Sequence, residues 1–423
     1  MNPALAQSLP PGGAIPFVPK IIAQKRKPIL FSPRQMYSIS EVKDKPAIAE
    51  FIRLPFAIYQ NDHNWIAPLK QDIEKIFNPA KNKFFEDGEC IRWILKDPQG
   101  KTIGRIAAFI NRRTAFTEDQ PTGGCGFFEC IHNQEAANVL FDTAKKWLQE
   151  RKMEAMDGPI NFGERNAWWG LLVDGFTPAT YEMNYNPPYY KALFENYGFK
   201  DYFQQYSYSL FVNDARPERY LAITERLKRS GEYSFRHIEK DKLAKYAADF
   251  RTIYNKTWKF LPNFKEMSED QVWKLFKTFK PVMIDYLVWF AYHEEEPVAL
   301  FIMLPELNGW FKHVHGNLNI WGLLKFLWLK TFDTSNRKIF GLIFGVVPEF
   351  QKKGLEGAIV MAADEAVRQK NRWDEIELVW VGDFNLRMLR TCEVLGGKIV
   401  KTHITYRKLF DESKPFKRHP AIE

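Results

Sequence analysis

Val346-Val347-Pro348-Glu349-Phe350-Gln351-Lys352-Lys353-Gly354-Leu355-Glu356-Gly357-Ala358 reads as the end of an apolar strand, a glycine-bearing turn and the start of a helix. The strand pattern begins at Ile339 and reaches Val347, and the helical pattern runs from Gly357 to Asn371. Such a strand-turn-helix aims backbone N–H groups and the positive end of a helix dipole at one point, which makes a seat for a phosphate.

The elements around the turn give a fold class. Upstream, Tyr286 to Ala291 and Pro297 to Leu304 form an antiparallel hairpin with Glu294-Glu295-Glu296 as its turn. Downstream come a strand from Glu375 to Val381, a helix from Asn385 to Leu395, and one or two strands between Ile399 and Lys408. This order predicts an α/β architecture, a mixed and mostly antiparallel sheet flanked by helices.

The chain states this plan twice. Tyr37-Ser38-Ile39 and Tyr233-Ser234-Phe235 each open a half, and a Lys-Asp-Lys turn follows each, then a helix at Ile48 to Tyr59 or Leu243 to Trp258. Glu195-Asn196-Tyr197-Gly198 reaches Tyr208 with the spacing by which Glu393-Val394-Leu395-Gly396 reaches Tyr406, so in both halves a helix stops at Gly before extended chain. The expected division is an N-terminal arm at 1–35, a first domain at 36–212, a second at 218–410 and a tail at 411–423, with Asn213 to Pro217 as the connecting turn. Where the first half should carry a phosphate turn it has Gly123-Gly124-Cys125-Gly126-Phe127-Phe128-Glu129, and its helix opens at Asn133-Gln134-Glu135.

Composition narrows the function classes. The 423 residues carry 60 Lys+Arg against 51 Asp+Glu, a net +9 spread along the chain, which suits an anionic ligand or a membrane surface better than nucleic acid. Cys90, Cys125, Cys130 and Cys392 form no metal-ligand spacing, so no metal and a reducing, cytoplasmic setting are expected. The segment Ile320 to Leu329 is broken by Lys325 and followed by Lys330, far short of the ~20 apolar residues of a membrane span. Core helix is the expected placement for it, ahead of pocket lid and membrane-surface anchor.

The turn resembles the acyl-CoA-binding turn of the GNAT acyltransferases, Q/R-x-x-G-x-G/A, with Gln351, Lys352, Lys353 and Gly354 in place and Glu356 where the family has a second small residue. The whole second half is similar to a GNAT domain, and the first is similar to a degenerate one without the turn. The segments Gly158 to Phe162, Leu171 to Phe176 and Tyr185 to Tyr190 resemble a group of bacterial tandem GNAT-like proteins. The resemblance implies two tandem GNAT-like domains and transfer of an acyl group from acetyl-CoA or a longer acyl-CoA to an amine. The acceptor is a small molecule or a lipid, with a long-chain amino alcohol as the concrete lead. Two other readings stay open: a non-catalytic ligand- or lipid-binding protein on a decayed fold, and an aminoacyl-tRNA-dependent transferase.

The same resemblance assigns the site. Val347, Gln351, Lys352, Lys353, Gly354, Leu355, Glu356, Gly357 and Asn385 would hold the donor, and a backbone N–H at Val346 or Val347 would polarise the thioester. Cys392 stands where the family often has a Tyr that protonates the leaving thiolate, with a buried helix residue as the plain alternative. Asp383 is the candidate base, or else a helix cap. Glu164, Asn166, Trp168 and Tyr189 are candidates for acceptor binding at the seam between halves, and His313 and His315 are titratable but unpartnered in sequence. A carboxylate at Glu356 about 6 Å from a pyrophosphate would cost roughly 3 kcal/mol, unless it turns away or itself fills the anion seat.

Overall fold

The computed structural model describes residues 37–117, 120–260, 264–378 and 380–421. The arm at 1–35 and the last two residues of the tail lie outside the described residues. The first half comprises β1 (Ser38–Glu41), α1 (Lys45–Ile58), α2 (Lys70–Ile76), β2 (Gly88–Lys96), β3 (Thr102–Asn111), β4 (Thr122–Cys130), α3 (Gln134–Gln149), β5 (Ala155–Gly158), β6 (Leu171–Asp174), α4 (Tyr190–Tyr197) and β7 (Lys200–Phe211). A bridging helix, α5 (Glu218–Ser230), leads to the second half. That half comprises β8 (Tyr233–His237), α6 (Leu243–Trp258), α7 (Glu269–Phe279), β9 (Val288–His293), β10 (Glu296–Pro305), α8 (Asn308–Phe311), α9 (Ile320–Phe332), β11 (Lys338–Val346), α10 (Leu355–Lys370), β12 (Glu375–Leu378), β13 (Val381–Gly382), α11 (Leu386–Val394) and β14 (Lys398–Leu409).

Local chemistry sets many of these ends. Asp44 caps α1 by accepting from Ala47 N–H, Asn133 caps α3 through Ala136 N–H, and Ser268 and Gln271 form a capping box at α7. Helices α4 and α11 run out into Gly198 and Gly396, both left-handed, as the repeated Gly in the sequence predicts. The predicted strand Glu375 to Val381 is interrupted, its ends forming β12 and β13.

The halves share one sheet, ordered β1-β2-β3-β4-β5-β14-β7-β12-β11-β10-β9-β8. Each half gives its last strand to the other: β14 pairs with β5, and β7 with β12, while β14 and β7 pair antiparallel at the centre. The cores follow the exchange. Ile404 and Tyr406 of β14 are buried with Leu140 and Phe141 of the first half, and Leu210 and Val212 around β7 with Ile359 and Val367 of the second. Each such side chain contributes ~1.5–3 kcal/mol of burial to a half it does not belong to in sequence. Buried ion pairs fasten β14 on both sides, Arg407 to Asp157 at 2.6 Å and Lys401 to Glu377 at 2.7 Å.

Two parallel pairs, β4 with β5 and β11 with β12, separate beyond their first residues. Because β5 and β12 are both antiparallel partners within the central ladder, offset by the antiparallel step from β14 to β7, the two forks open at opposite ends of the sheet. The first fork is closed by its own chain. Ile160 N–H donates to Cys125 C=O at 2.9 Å, and a Cβ on Gly126 would lie 1.8 Å from the Ile160 carbonyl. The glycine-rich run Gly123 to Glu129 is therefore strand, not phosphate turn: its glycines let Leu148, Phe109 and the 160 segment approach the backbone.

The placement expected for Ile320 to Leu329 is overturned. In α9 only Phe326 and Leu329 are buried, and its remaining large apolar side chains face outward. No helix among the described residues is long and apolar enough to cross a membrane.

Candidate functional site

The second fork carries the glycine turn. Strand β11 pairs with β12 only from Lys338 to Gly341, so its last residues border the opening. Val347 N–H donates to Val298 C=O at 2.9 Å, and Val346 lies opposite Ala299. In an antiparallel ladder the bonding direction alternates, so the Val346 N–H points away from β10 and toward the edge that β12 has left. Val347 thus spends its donor inside the ladder, and Val346 holds the one aimed at the fork.

Beyond β11 the chain turns through Lys352 and Gly354, at φ +63° and +88°, into an α10 that starts with no side-chain cap. Backbone N–H groups at an uncapped helix start, preceded by left-handed residues, form an anion-binding concavity. Gln351 braces it: Nε2 donates to Val346 C=O at 2.8 Å, and Oε1 accepts from Arg387 of α11 at 2.7 Å.

Helix α5 walls the turn from one side. The ring of Tyr220 lies where a Cβ on Gly357 would fall, 1.8 Å away, and Ile223 crowds Gly354 at 2.6 Å. Both glycines are needed for this close approach, and Gly357 is buried under a tyrosine rather than bordering the cleft. Leu355 is fully buried, a core residue. The bidentate pair Arg216–Asp364, at 2.7 and 3.0 Å, fixes the start of α5 to α10.

Between α5, the turn and α11 lies a cleft of about 650 Å³ whose walls include Arg219, Arg226, Lys352, Lys353 and Arg387. Five cations face one carboxylate, Glu356. That carboxylate turns back on the turn, accepting from Lys352 N–H at 3.1 Å and lying 3.5 Å from Arg387. It fills one donor of the concavity as a ligand anion would, while the surrounding cations more than balance its charge. The residues present fit a polyphosphate group. Asn385 caps α11 by accepting from Met388 N–H at 3.1 Å, which makes it a builder of the cleft wall.

On the other side of β11, Trp258 of α6 sits 2.8 Å from a notional Cβ on Gly345, with Thr257 beside it. Trp258 packs on Tyr254, and Tyr254 on Phe264, an aromatic wall along the fork. The first half reaches across: Trp380, between β12 and β13, donates its indole N–H to Arg165 C=O at 3.2 Å. Burial, then the Glu164 charge, raises the Tyr254 phenol.

The seam candidates divide. Glu164 and Asn166 are exposed on this crossing loop, with Glu164 paired to Lys83 at 3.1 Å. Trp168 and Tyr189 belong elsewhere. Trp168 lines a narrow cavity of about 80 Å³ at the first fork. Tyr189 stacks on His132 and donates to Cys130 C=O. That cavity is lined by Glu129, which Arg105, Tyr59 and Tyr190 all contact, and by Glu182, whose carboxyl burial and the Asp72 charge push up to about 7.

Neither chemical candidate stands free. Asp383 is paired with Arg418 at 2.6 Å, and the cap of α11 is Asn385. Cys392 is wholly buried with Tyr208 and Val381, and burial pushes its thiol up to about 12, the behaviour of a packing residue. His313 is half-buried beside Lys312 and Lys325, and His315 is a left-handed turn residue, both remote in sequence and sheet position from the fork. Sequence reasoning passed over Arg219, Arg226, Tyr254 and Trp258. The α5 cations had a signal: Pro217 before and Gly231 after a helical run mark a helix where only a turn was expected.

No family model matches the chain. It is 28% identical over 380 residues to a bacterial ceramide synthase of Caulobacter vibrioides (strain NA1000 / CB15N), covering 88% of this chain and 97% of that one. It is 25% identical over 375 residues to protein YghO of Escherichia coli (strain K12), covering 86% and 93%. Among solved structures, a tandem GNAT protein from the clavulanic acid biosynthesis pathway superposes with a TM-score of 0.51 at 10% identity, covering 90% of this chain and 100% of that one. A GCN5-related glucosamine N-acetyltransferase region of a fungal multi-domain β-N-acetylglucosaminidase gives 0.51 at 14% identity, and the match spans 38% of that chain. The fold is that of a tandem GNAT protein.

Proposed function

We propose that this chain is an acyl-CoA-dependent N-acyltransferase that holds its donor on the second half. One observation carries the reading: at the end of β11 an uncapped helix start ringed by five cations adjoins a strand edge whose Val346 N–H faces an open fork. The cations and the turn suit the phosphates of CoA. The neutral amine nitrogen attacks the thioester carbon, negative charge gathers on its oxygen, and the oxyanion collapses to the amide as the C–S bond breaks, the sulfur leaving as the CoA thiolate and the nitrogen's extra proton passing to solvent. A backbone donor at the oxyanion contributes a few kcal/mol in the transition state. The acceptor enters past Trp258, Tyr254 and Glu164, and the similarity to a protein named a bacterial ceramide synthase favours a long-chain amino alcohol.

The hydrogen bond from Lys352 N–H to Glu356 favours one competitor, a non-catalytic lipid- or ligand-binding protein whose own carboxylate keeps the seat. Calorimetry with acetyl-CoA and palmitoyl-CoA, followed by mass spectrometry for product with sphinganine, separates the two. The transferase reading expects binding and an N-acyl product, both lost in Gly354→Trp, where the left-handed φ and Ile223 leave no room. Unchanged turnover in that variant overturns it.

A further inference from the structure

Helix α9 is amphipathic in the wrong sense for a solvent-facing helix. Phe326 and Leu329 pack inward on Trp310 and Phe311, while Trp321, Trp328 and Leu324 are 76%, 60% and 53% exposed. At ~100° per residue, Ile320, Leu324, Leu327 and Trp328 form one outward stripe, and Lys325 and Lys330 fall about 110° to either side of its centre. The loop before the helix adds Lys312, close enough to Lys325 that both act on His313. An exposed apolar surface of this size marks a contact site, and it needs an occupant.

Charge chooses among occupants. Helix α9 contains no acidic residue, and Asp333, just past its end, turns its carboxylate to Ser335 N–H. A second copy seated on the stripe would bring two sets of flanking lysines together with no acid in α9 to meet them. Anionic headgroups supply that charge. Tryptophans suit the interfacial zone, and Lys325 at one flank reaches the phosphates while its stem stays apolar, Lys330 at the other donating to Pro281 C=O. With 13 residues, the helix is about 20 Å long, too short to span and long enough to lie in the interface.

We infer that α9 docks on the surface of an anionic lipid bilayer, its outward apolar stripe lying among the headgroups. The docking does not depend on the transferase reading, since it uses none of the residues of the fork.

Flotation of the full chain tests this with neutral phosphatidylcholine vesicles and with vesicles one-quarter phosphatidylglycerol, at low and high salt. The protein should float with the anionic vesicles, at least tenfold better than with neutral ones. The Leu324→Glu/Trp328→Glu variant should lose at least tenfold with its melting temperature unchanged, since both side chains are exposed. Lys325→Gln should lose about fivefold on anionic vesicles alone, as one surface lysine is worth about 1 kcal/mol there. Failure to float, or flotation that Leu324→Glu/Trp328→Glu leaves unaltered, overturns the docking. So does a vesicle-free dimer that the same variant dissociates, which would assign the stripe to a second copy.

Discussion

Glu356 was the obstacle in the sequence, and the structure gives it a definite position. Its carboxylate accepts from Lys352 N–H, so a ligand phosphate must displace it or bind beside it among the cations. Replacing it with an uncharged isostere removes the repulsion while leaving an amide oxygen that can accept from Lys352 N–H. Glu356→Gln is expected to tighten palmitoyl-CoA binding by about 10- to 100-fold at low salt, since ~1.4–2.8 kcal/mol of repulsion is relieved. Calorimetry at two salt concentrations measures it; weaker binding in the variant would make the carboxylate a builder of the seat. At this scale the strand-turn-helix was legible because the turn is local: Gln351 braces it, and Lys352 and Gly354 take its left-handed bends. Cys392 was legible only as two alternatives, and its burial against Tyr208, on a strand nearly two hundred positions away, selects the packing residue.

Among elements, α5 has the most to say about the site. It delivers Arg219 and Arg226 to the cleft and is held to α10 by Arg216, whose partner Asp364 also meets Arg368 at 2.7 Å. Arg216→Met leaves Asp364 with Arg368 alone and frees the start of α5. The variant should lose about 3 kcal/mol in urea unfolding, the low end for a broken buried pair because Asp364 keeps Arg368. Donor affinity should fall as well, although Arg216 does not line the cleft, because the wall that carries two cations loosens. Equal affinity in a destabilised variant would show that α5 only packs. Helix α9 teaches the converse: an apolar decapeptide with one lysine reads as core by composition, and only the direction of its neighbours reveals that most of it faces out.

The whole molecule is held by the exchange of last strands, and the exchange has a pH signature. His403 of β14 is buried at the seam, its Nε2–H donating to Asn184 C=O at 3.1 Å. Burial first, with Lys401 adding to it, lowers the imidazole to about 4 from an ordinary 6.5. Unfolded chain therefore binds the proton between those values and folded chain does not, so this group's contribution is full above 6.5 and is lost as pH falls toward 4. Glu182 acts in the opposite sense, its carboxyl raised to about 7, so its term declines as pH rises from 4.5 to 7. The two oppose each other in the native chain. His403→Gln should expose the Glu182 slope, with denaturant stability falling by up to about 3 kcal/mol from pH 4.5 to 7. A flat profile in the variant would mean that Glu182 is not shifted as described, and an unchanged profile between native chain and variant that His403 is not.

The sequence by itself determined what is local. The glycine stops at Gly198 and Gly396, the hairpin around Glu294 and Glu295 and the turn at Gln351 to Gly354 rest on chemistry between near neighbours, and each is where its pattern places it. Only tertiary structure decided which strand completes which half, since β7 and β14 carry the same pattern and either would satisfy the pleat of either sheet. It also decided that the first fork is shut by Gly126 against Ile160, that Val346 rather than Val347 faces the open one, and that α9 presents its apolar side outward. These outcomes depend on distant backbone meeting backbone, and a periodicity says which face is apolar without saying what lies against it.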